Sequence, residues 1–360
     1  MKKNANIELL RIISMLMVTM LHALGKSDLL VNLSKMGGGA AALTGISPIN
    51  AWIAWVLEVL SISAVNIFML ISGYFLINSE FKIKRLIEIV LQIVFYTAGS
   101  FGAGLLLGII GKEDVNIYNI LNNFLPVHMD VYWFMTAYVV IYMCLPLISK
   151  GLNAMTKKQH RTMLILLLVY ECIIKSVLPV KLMTDTKGYT FFWYLIVFIA
   201  GAYFRKYGFK VFNTSGKGAA LYFGSAALIL AECYIIQAAI SKTGRLSELG
   251  TAALDYNNIF VFAAAVGIFA AFVHAKPMNE KVGKVVCFLS PMALGVYLLQ
   301  ENLTFRYEWQ GWFKLPGSLG DPFGIMLVKV IGAVLAMYVL GTAVDFVRKV
   351  YFDSIFRSSH

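Results

Sequence analysis

The sequence predicts an all-α, polytopic transmembrane helical bundle with about ten spans and both termini in the cytoplasm. Hydrophobic residues make up 59% of the chain and charged residues only 14%, whereas about a quarter of a soluble domain is charged. Apolar runs near the roughly 20 residues that a membrane helix needs recur along the whole chain. No soluble domain of useful size fits between them. We therefore expect residues 1–360 to form a single membrane domain, in a multi-pass protein of the cell membrane.

Ten apolar runs define the predicted spans. The second run is longer than the bilayer requires, which predicts a tilted or kinked helix, or an interfacial turn before it. The runs cover residues 7–25, 51–77, 88–111, 131–149, 162–180, 189–204, 218–240, 256–274, 285–303 and 323–347.

Basic residues between the spans indicate the orientation. With the N-terminus inside, most of the 31 Lys and Arg residues fall in inner connections, while outer loops mix signs, as in Lys112-Glu113-Asp114. An even number of spans then places both termini in the cytoplasm. Topology and contact with anionic membrane lipids explain the net charge of +12, so no nucleic-acid partner is predicted.

The first span, IELLRIISMLMVTMLHALG, carries three ionisable residues: Glu8, Arg11 and His22. Arg11 and His22 are almost a whole number of helical turns apart, so they share one face and lie roughly 16 Å apart along the axis. Such residues are costly in a membrane unless they face a polar cavity, which makes them functional candidates. The alternative is an interfacial Glu8–Arg11 ion pair with His22 as a hydrogen-bonded interior residue.

The remaining polar residues in the spans give a weaker signal. Acidic and basic side chains there could pair internally or line a path through the bundle; they are Glu58, Glu171, Glu232, Lys329 and Asp345. The four cysteines have neither metal-ligand nor disulfide-scaffold spacing, and the histidines suggest no ligand set, so we predict no metal cofactor. The cysteines are Cys144, Cys172, Cys233 and Cys287.

Four runs, in this order along the chain, resemble acyltransferase family 3, a family of integral-membrane enzymes. The resemblance extends from Glu8 to about Trp309. The first run is the arginine, ten residues, histidine pattern of Arg11 and His22. The others are NIFMLISGYFLINSEFKIKR, YWFMTAYVVIYMCLPLI and FLSPMALGVYLLQENLTFRYEW.

The sequence departs from the family pattern at two positions. Lys84 stands where the family has the first of two arginines, the second of which is Arg85 here. Gln300 stands where the family often has histidine. A role of that histidine therefore cannot be transferred to this chain.

The resemblance implies an acyl-CoA donor on the cytosolic side and acceptors that are commonly extracytoplasmic. His22 would be the general base or a nucleophile that is acylated first, and both alternatives stay open. Glu8 would orient Arg11, which with Lys84 and Arg85 would hold the anionic donor. For Lys84 and Arg85 the alternative is membrane topology and lipid contact.

Candidate acceptor contacts lie near the outer ends of the fourth and ninth spans. Trp133 could stack on a sugar, although aromatic residues are common at membrane interfaces. Gln300, Glu301 and Arg306 could contact the acceptor, or Glu301 and Arg306 could form a salt bridge.

These inferences predict an integral-membrane acyltransferase. Its expected reaction is O-acetyl transfer from cytosolic acetyl-CoA to a hydroxyl of an extracytoplasmic cell-envelope glycan or glycolipid. The competing functions are a transporter or exporter of polar envelope precursors, and a sensor or accessory subunit. A transporter would be expected to show internal repeats, and none is evident in the sequence. Acceptor identity, acyl chain length and oligomeric state are open at this stage.

Overall fold

A computed structural model describes residues 4–32, 45–177, 187–244 and 249–357 of the chain. Within these ranges the fold consists of helices and connecting turns, with no strand. The first eight helices are α1 (Ala5–Gly25), α2 (Pro48–Ser61), α3 (Ala64–Leu76), α4 (Ile83–Leu106), α5 (Ile117–Phe124), α6 (Trp133–Met143), α7 (Leu145–Ala154) and α8 (Lys157–Leu168).

A π-helical turn, Val169–Ile173, connects α8 to α9. Short 3₁₀ turns precede α12 and separate α13 from α14. The remaining helices are α9 (Ile174–Val177), α10 (Phe191–Tyr207), α11 (Ser215–Thr243), α12 (Ile259–Val273), α13 (Glu280–Leu289), α14 (Ala293–Gln300), α15 (Trp309–Trp312) and α16 (Phe323–Arg357).

The architecture confirms the polytopic helical bundle. Seven helical segments in the described ranges are long and apolar enough to cross a membrane, and α6 with α7 makes an eighth if the bent pair is one span. That pair bends by 62° where Pro146, which lacks a backbone N–H, follows Cys144 and Leu145. The predicted span 131–149 is thus two short helices.

Two further predicted spans are helical but are not among these segments. The run 162–180 corresponds to α8, the π turn and α9. Glu171 and Lys175 within it and Arg161 just before it reduce the apolar character of this helical stretch, and residues 178–180 lie outside the described ranges. The run 189–204 corresponds to α10, which has only 17 residues, the lower end of the spanning range. Within the described residues, the segments that are long and apolar enough to cross a membrane therefore number seven or eight, whereas ten spans were predicted.

The long second run, 51–77, contains the break that its length predicts. It divides into α2 and α3 at Ile62 and Ser63. Close packing then fixes α3 against α10: a Cβ atom at Gly73 would lie only 2.0 Å from the carbonyl oxygen of Phe198. The small residue lets the two helix backbones approach closely.

Helix α1 occupies the centre of the bundle. It packs against α2, α3, α12, α13, α14 and α16. Its N-terminal end is held by the Asn6 side chain, which donates hydrogen bonds to the carbonyl oxygens of Ala275 and Lys276 at 3.0 and 3.1 Å. Because neighbours enclose α1, its ionisable residues lie inside the protein.

Candidate active site

A cavity of about 850 Å³ extends beside α1. The residues of α1 that form one wall of this cavity are spaced three or four positions apart and therefore lie on one face of the helix. Eighteen residues at 1.5 Å each make this wall roughly 27 Å long, nearly the thickness of a bilayer core. The residues on this face include Glu8, Arg11, Met15, Val18, His22 and Lys26.

His22 faces a carboxylate across the cavity. Its Nδ1 lies 3.5 Å from Oε1 of Glu301, and both side chains are mostly buried. Lys26, one turn after His22, donates a hydrogen bond to the same oxygen of Glu301. The imidazole of His22 therefore lies beside Glu301, and Lys26 holds the carboxylate of Glu301 in place.

The turn after α14 is anchored in a way that holds Glu301 in place. The Asn302 side chain donates to the carbonyl oxygen of Tyr96 at 3.0 Å and accepts from the Thr304 backbone N–H at 2.9 Å. The Tyr132 hydroxyl donates to the carbonyl of Leu298 at 2.8 Å. Glu301 thus projects from a pinned turn towards α1.

The two neighbours proposed with Glu301 occupy other positions. Gln300 is completely buried beside His22 but does not line the cavity. Arg306 also lies off the cavity lining and donates to the carbonyl of Val131 at 3.3 Å. Among the described residues Glu301 pairs with Lys26 and approaches His22, whereas Arg306 interacts with Glu301 electrostatically without a contact at ion-pair distance.

At the other end of the α1 face, Arg11 and Glu8 form a loose pair. The Arg11 Nε lies 3.8 Å from Glu8 Oε2, and that oxygen accepts a hydrogen bond from the Ser290 hydroxyl. The Arg11 Nε is buried without a hydrogen-bond partner. The guanidinium therefore retains donor capacity towards a ligand in the cavity.

Lys84 and Arg85 both lie in the first turn of α4, but only one of them lines the cavity. Arg85 lines the cavity, and its guanidinium lies 5.6 Å from the centre of the Tyr142 ring. Lys84 is exposed and is not part of the lining. Arg85 is exposed as well, so the difference between the two predicted donor contacts on α4 is that only Arg85 is among the cavity-lining residues, as Arg11 is.

Trp133, at the start of α6, lines the cavity as part of an aromatic cluster. Its ring centre lies 4.6 Å from that of Tyr189 and 5.6 Å from that of Tyr256, with the latter pair stacked. Both tyrosines also line the cavity. Trp133 therefore contributes to the wall of an internal cavity. A position in the aromatic belt at the membrane interface would not by itself account for this placement.

Sequence reasoning assigned no role to two further lining residues. Ser290 lies within the FLSPM run and holds Glu8, and Tyr297 places its ring centre 6.4 Å from that of His22. Tyr297 precedes Glu301 by four residues, so the two share a helical face. The four-residue spacing of Tyr297 and Glu301 could have indicated, from the sequence, that α14 and the turn after it form the cavity wall opposite α1.

The arrangement provides an imidazole for proton transfer, a buried acid to orient it, and two guanidinium groups on the same cavity. Within the described residues, no group of three or more His, Cys, Asp or Glu side chains is placed to hold a metal ion. The chemistry available to these side chains is thus acid–base or nucleophilic catalysis with electrostatic binding of an anion.

Comparison with known proteins assigns the chain to a family. A family model described as an acyltransferase domain matches residues 4–342, nearly the whole chain and further towards the C-terminus than the sequence motifs extend. No curated protein and no solved structure is significantly similar to the chain. The protein belongs to acyltransferase family 3 and is a multi-pass membrane acyltransferase.

Proposed function

We propose that the protein is an O-acetyltransferase that moves an acetyl group from cytosolic acetyl-CoA to a hydroxyl of an extracytoplasmic cell-envelope glycan or glycolipid. The single observation that carries this proposal is the α1 wall of the cavity. On that wall, Arg11 and His22 line one cavity, and Glu301 approaches His22 from the turn after α14.

In the proposed reaction, His22 acts as general base. The Glu301 carboxylate beside Nδ1 favours the tautomer with the proton on that nitrogen, which leaves Nε2 free. Nε2 takes the proton of the acceptor hydroxyl as its oxygen attacks the thioester carbonyl. The carbon–sulfur bond then breaks, and the imidazolium returns the proton to the leaving thiolate. The 3.5 Å separation is compatible with a hydrogen bond that tightens when substrate binds.

The donor is held by the guanidinium groups of Arg11 and Arg85. Guanidinium makes forked hydrogen bonds to phosphate and stays charged at any physiological pH. Glu8, fixed by Ser290, keeps Arg11 on the cavity face. Arg11 lies on the cytosolic side if the N-terminus is inside, as the basic residues predict, so the donor would enter from the compartment that contains it.

Purified full-length protein tests this proposal through donor binding and turnover. CoA and acetyl-CoA are expected to raise the melting temperature of the wild type, because a ligand that binds the folded state stabilises it. The His22→Ala variant should keep that stabilisation but lose about 100-fold or more in turnover of acetyl-CoA with acceptor present.

Two results would contradict the proposal. One is the absence of any stabilisation by CoA or acetyl-CoA at millimolar concentration, which would favour a transporter or an accessory subunit. The other is near-normal turnover by His22→Ala with both substrates saturating. Comparison of envelope O-acetyl content with and without the protein then tests the choice of acceptor.

A further inference from the structure

Glu58 on α2 is a buried acid that the proposed reaction does not use. The residue is 6% exposed and lines the cavity. Its Oε2 is buried without a hydrogen-bond partner among the described residues, and the side chain forms no ion pair there. A carboxylate removed from water without a partner is strongly destabilising.

Other buried or half-buried acids of the bundle have partners within the described residues. Glu232 accepts hydrogen bonds from Asn258 at 3.2 and 3.1 Å. Asp255 pairs with Lys175 at 2.8 Å, and Asp345 with Arg348 at 2.8 Å. Glu58 therefore marks a position on the cavity wall where no donor group of the described residues meets the carboxylate oxygen.

Glu58 lies beside the aromatic cluster. It is near enough to Tyr189 and Tyr256 to interact with them electrostatically, and Tyr189 also interacts with Glu301, the acid beside His22. The stacked Trp133–Tyr256 pair lines the same cavity. A carboxylate and an apolar ring surface thus adjoin the reacting centre on one cavity wall.

We propose that Glu58, Trp133 and Tyr256 form a specificity subsite that binds a sugar ring of the acceptor. The hydroxyl that is acylated lies elsewhere on the acceptor. The aromatic rings pack against the C–H face of a saturated sugar ring. Glu58 accepts hydrogen bonds from a donor on that ring, either a hydroxyl or an ammonium group. The inference rests on the proposed function, and it makes Glu58 a determinant of acceptor choice.

Three soluble probes separate the contributions: methyl β-D-glucopyranoside, the methyl glycoside of glucosamine, and cyclohexanol. The first offers several hydroxyl donors, the second has an ammonium group in place of the 2-hydroxyl, and the third offers one hydroxyl on an apolar ring. Binding to detergent-purified full-length protein is measured by thermal stabilisation, and acceptance of acetyl groups is measured in parallel with acetyl-CoA.

The wild type is expected to bind both glycosides more tightly than cyclohexanol. Glu58→Gln should raise the KM of the better glycoside about 10-fold or more, with the KM of acetyl-CoA and stabilisation by CoA unchanged. A preference for the glucosamine glycoside that disappears in Glu58→Gln would identify an ammonium group as the partner. An equal loss for both glycosides would identify hydroxyls.

Glu232→Gln is the control, because this half-buried acid lies on α11, off the cavity lining, and already has a partner. Its acceptor KM should equal that of the wild type. Glu58→Leu supplies a second measurement: an open buried carboxylate predicts an equal or higher melting temperature together with impaired acceptor use.

Wild-type acceptor KM values in Glu58→Gln and Glu58→Leu would overturn the subsite, as would failure of both glycosides to bind better than cyclohexanol. These outcomes are distinct from failure of the proposed function. Stabilisation by CoA and dependence of turnover on His22 would still be observed if only the subsite assignment were wrong.

Discussion

Glu301, the residue that follows α14, places its carboxylate 3.5 Å from Nδ1 of His22 on α1. The two residues come from opposite ends of the chain and meet because α1 packs against α14. Lys26 binds the same carboxylate oxygen. In the reaction proposed above, Glu301 would act through His22 as a positioning residue.

Replacement of Glu301 by Gln should lower kcat about 10-fold or more while the KM of acetyl-CoA stays near the wild-type value. The amide keeps the shape but removes the charge that stabilises the imidazolium formed during transfer. Steady-state kinetics with saturating acceptor measure the effect. Glu301→Asp should recover part of the loss because it restores the carboxylate.

Glu280→Gln is a suitable control for charge alone. Glu280 is largely exposed and pairs with Lys284 one turn away. An exposed ion pair of this kind contributes little to the stability of a protein. Equal kcat in Glu301→Gln, Glu280→Gln and the wild type would show that His22 works without its acidic neighbour.

Donor binding should depend on Arg11 and Arg85 more than on Lys84. Loss of a charge-assisted phosphate contact costs roughly 1.5–3 kcal/mol, so Arg11→Ala or Arg85→Ala should weaken CoA binding at least about 10-fold. Arg11→Lys should also bind less tightly, because an ammonium group cannot reproduce the fork. Isothermal titration with CoA on purified variants provides the measurement.

Lys84→Ala is the comparison within the same helix turn. Lys84 is exposed and off the cavity lining, so its removal should change CoA affinity only slightly. If Lys84→Ala weakened binding as much as Arg85→Ala, the basic residues would act through a general surface potential and not through the cavity.

The sequence predicted the cavity-facing stripe of α1 but not its partner. Helical spacing shows which residues of one helix share a face, which is sufficient for Glu8, Arg11 and His22. It contains no information on which helix packs against that face. For Glu301, reasoning along the chain offered Arg306 as the nearest opposite charge, whereas the folded bundle supplies Lys26 and His22.

Helix boundaries were less predictable than the existence of the helices. The run 131–149 reads as one apolar segment, and the 62° bend arises from the position of Pro146. The difference between Lys84 and Arg85 is also absent from the sequence pattern, because it depends on which side of α4 faces the interior. Burial of Glu58 on the cavity wall requires the tertiary packing of α2 and could only be suspected from its place within a span.

Stability should respond strongly to Gly73→Ala. A methyl group there would lie 2.0 Å from the Phe198 carbonyl oxygen, so α3 and α10 would have to separate, at a cost of roughly 1–3 kcal/mol. Thermal unfolding in detergent should show a lower midpoint. Gly99→Ala on α4 is the control, because a Cβ atom at Gly99 would have no neighbouring atom within 4 Å. The midpoint of its thermal unfolding should equal or exceed that of the wild type, since Ala favours helix over Gly.

Donor and acceptor should reach His22 from opposite faces of the membrane. Arg11 and His22 lie on the same cavity-lining face of α1, separated by roughly 16 Å along its axis. With the N-terminus inside, as the basic residues predict, Arg11 is in the inner half of the membrane and His22 is in the outer half. The anionic end of the donor cannot enter hydrocarbon, so it stays near Arg11 and Arg85 while its flexible arm extends towards His22.

Sealed vesicles with protein of known orientation can measure this sidedness. Acetyl-CoA is confined to the cytosolic face, and an impermeant glycoside acceptor is supplied either inside or outside. Acetylated product should form on the face opposite the donor, because only the acetyl group crosses most of the barrier. Product found exclusively on the donor face would reject transfer through the membrane, yet it would leave the acyltransferase assignment intact, since an inward-facing pocket could then hold both substrates.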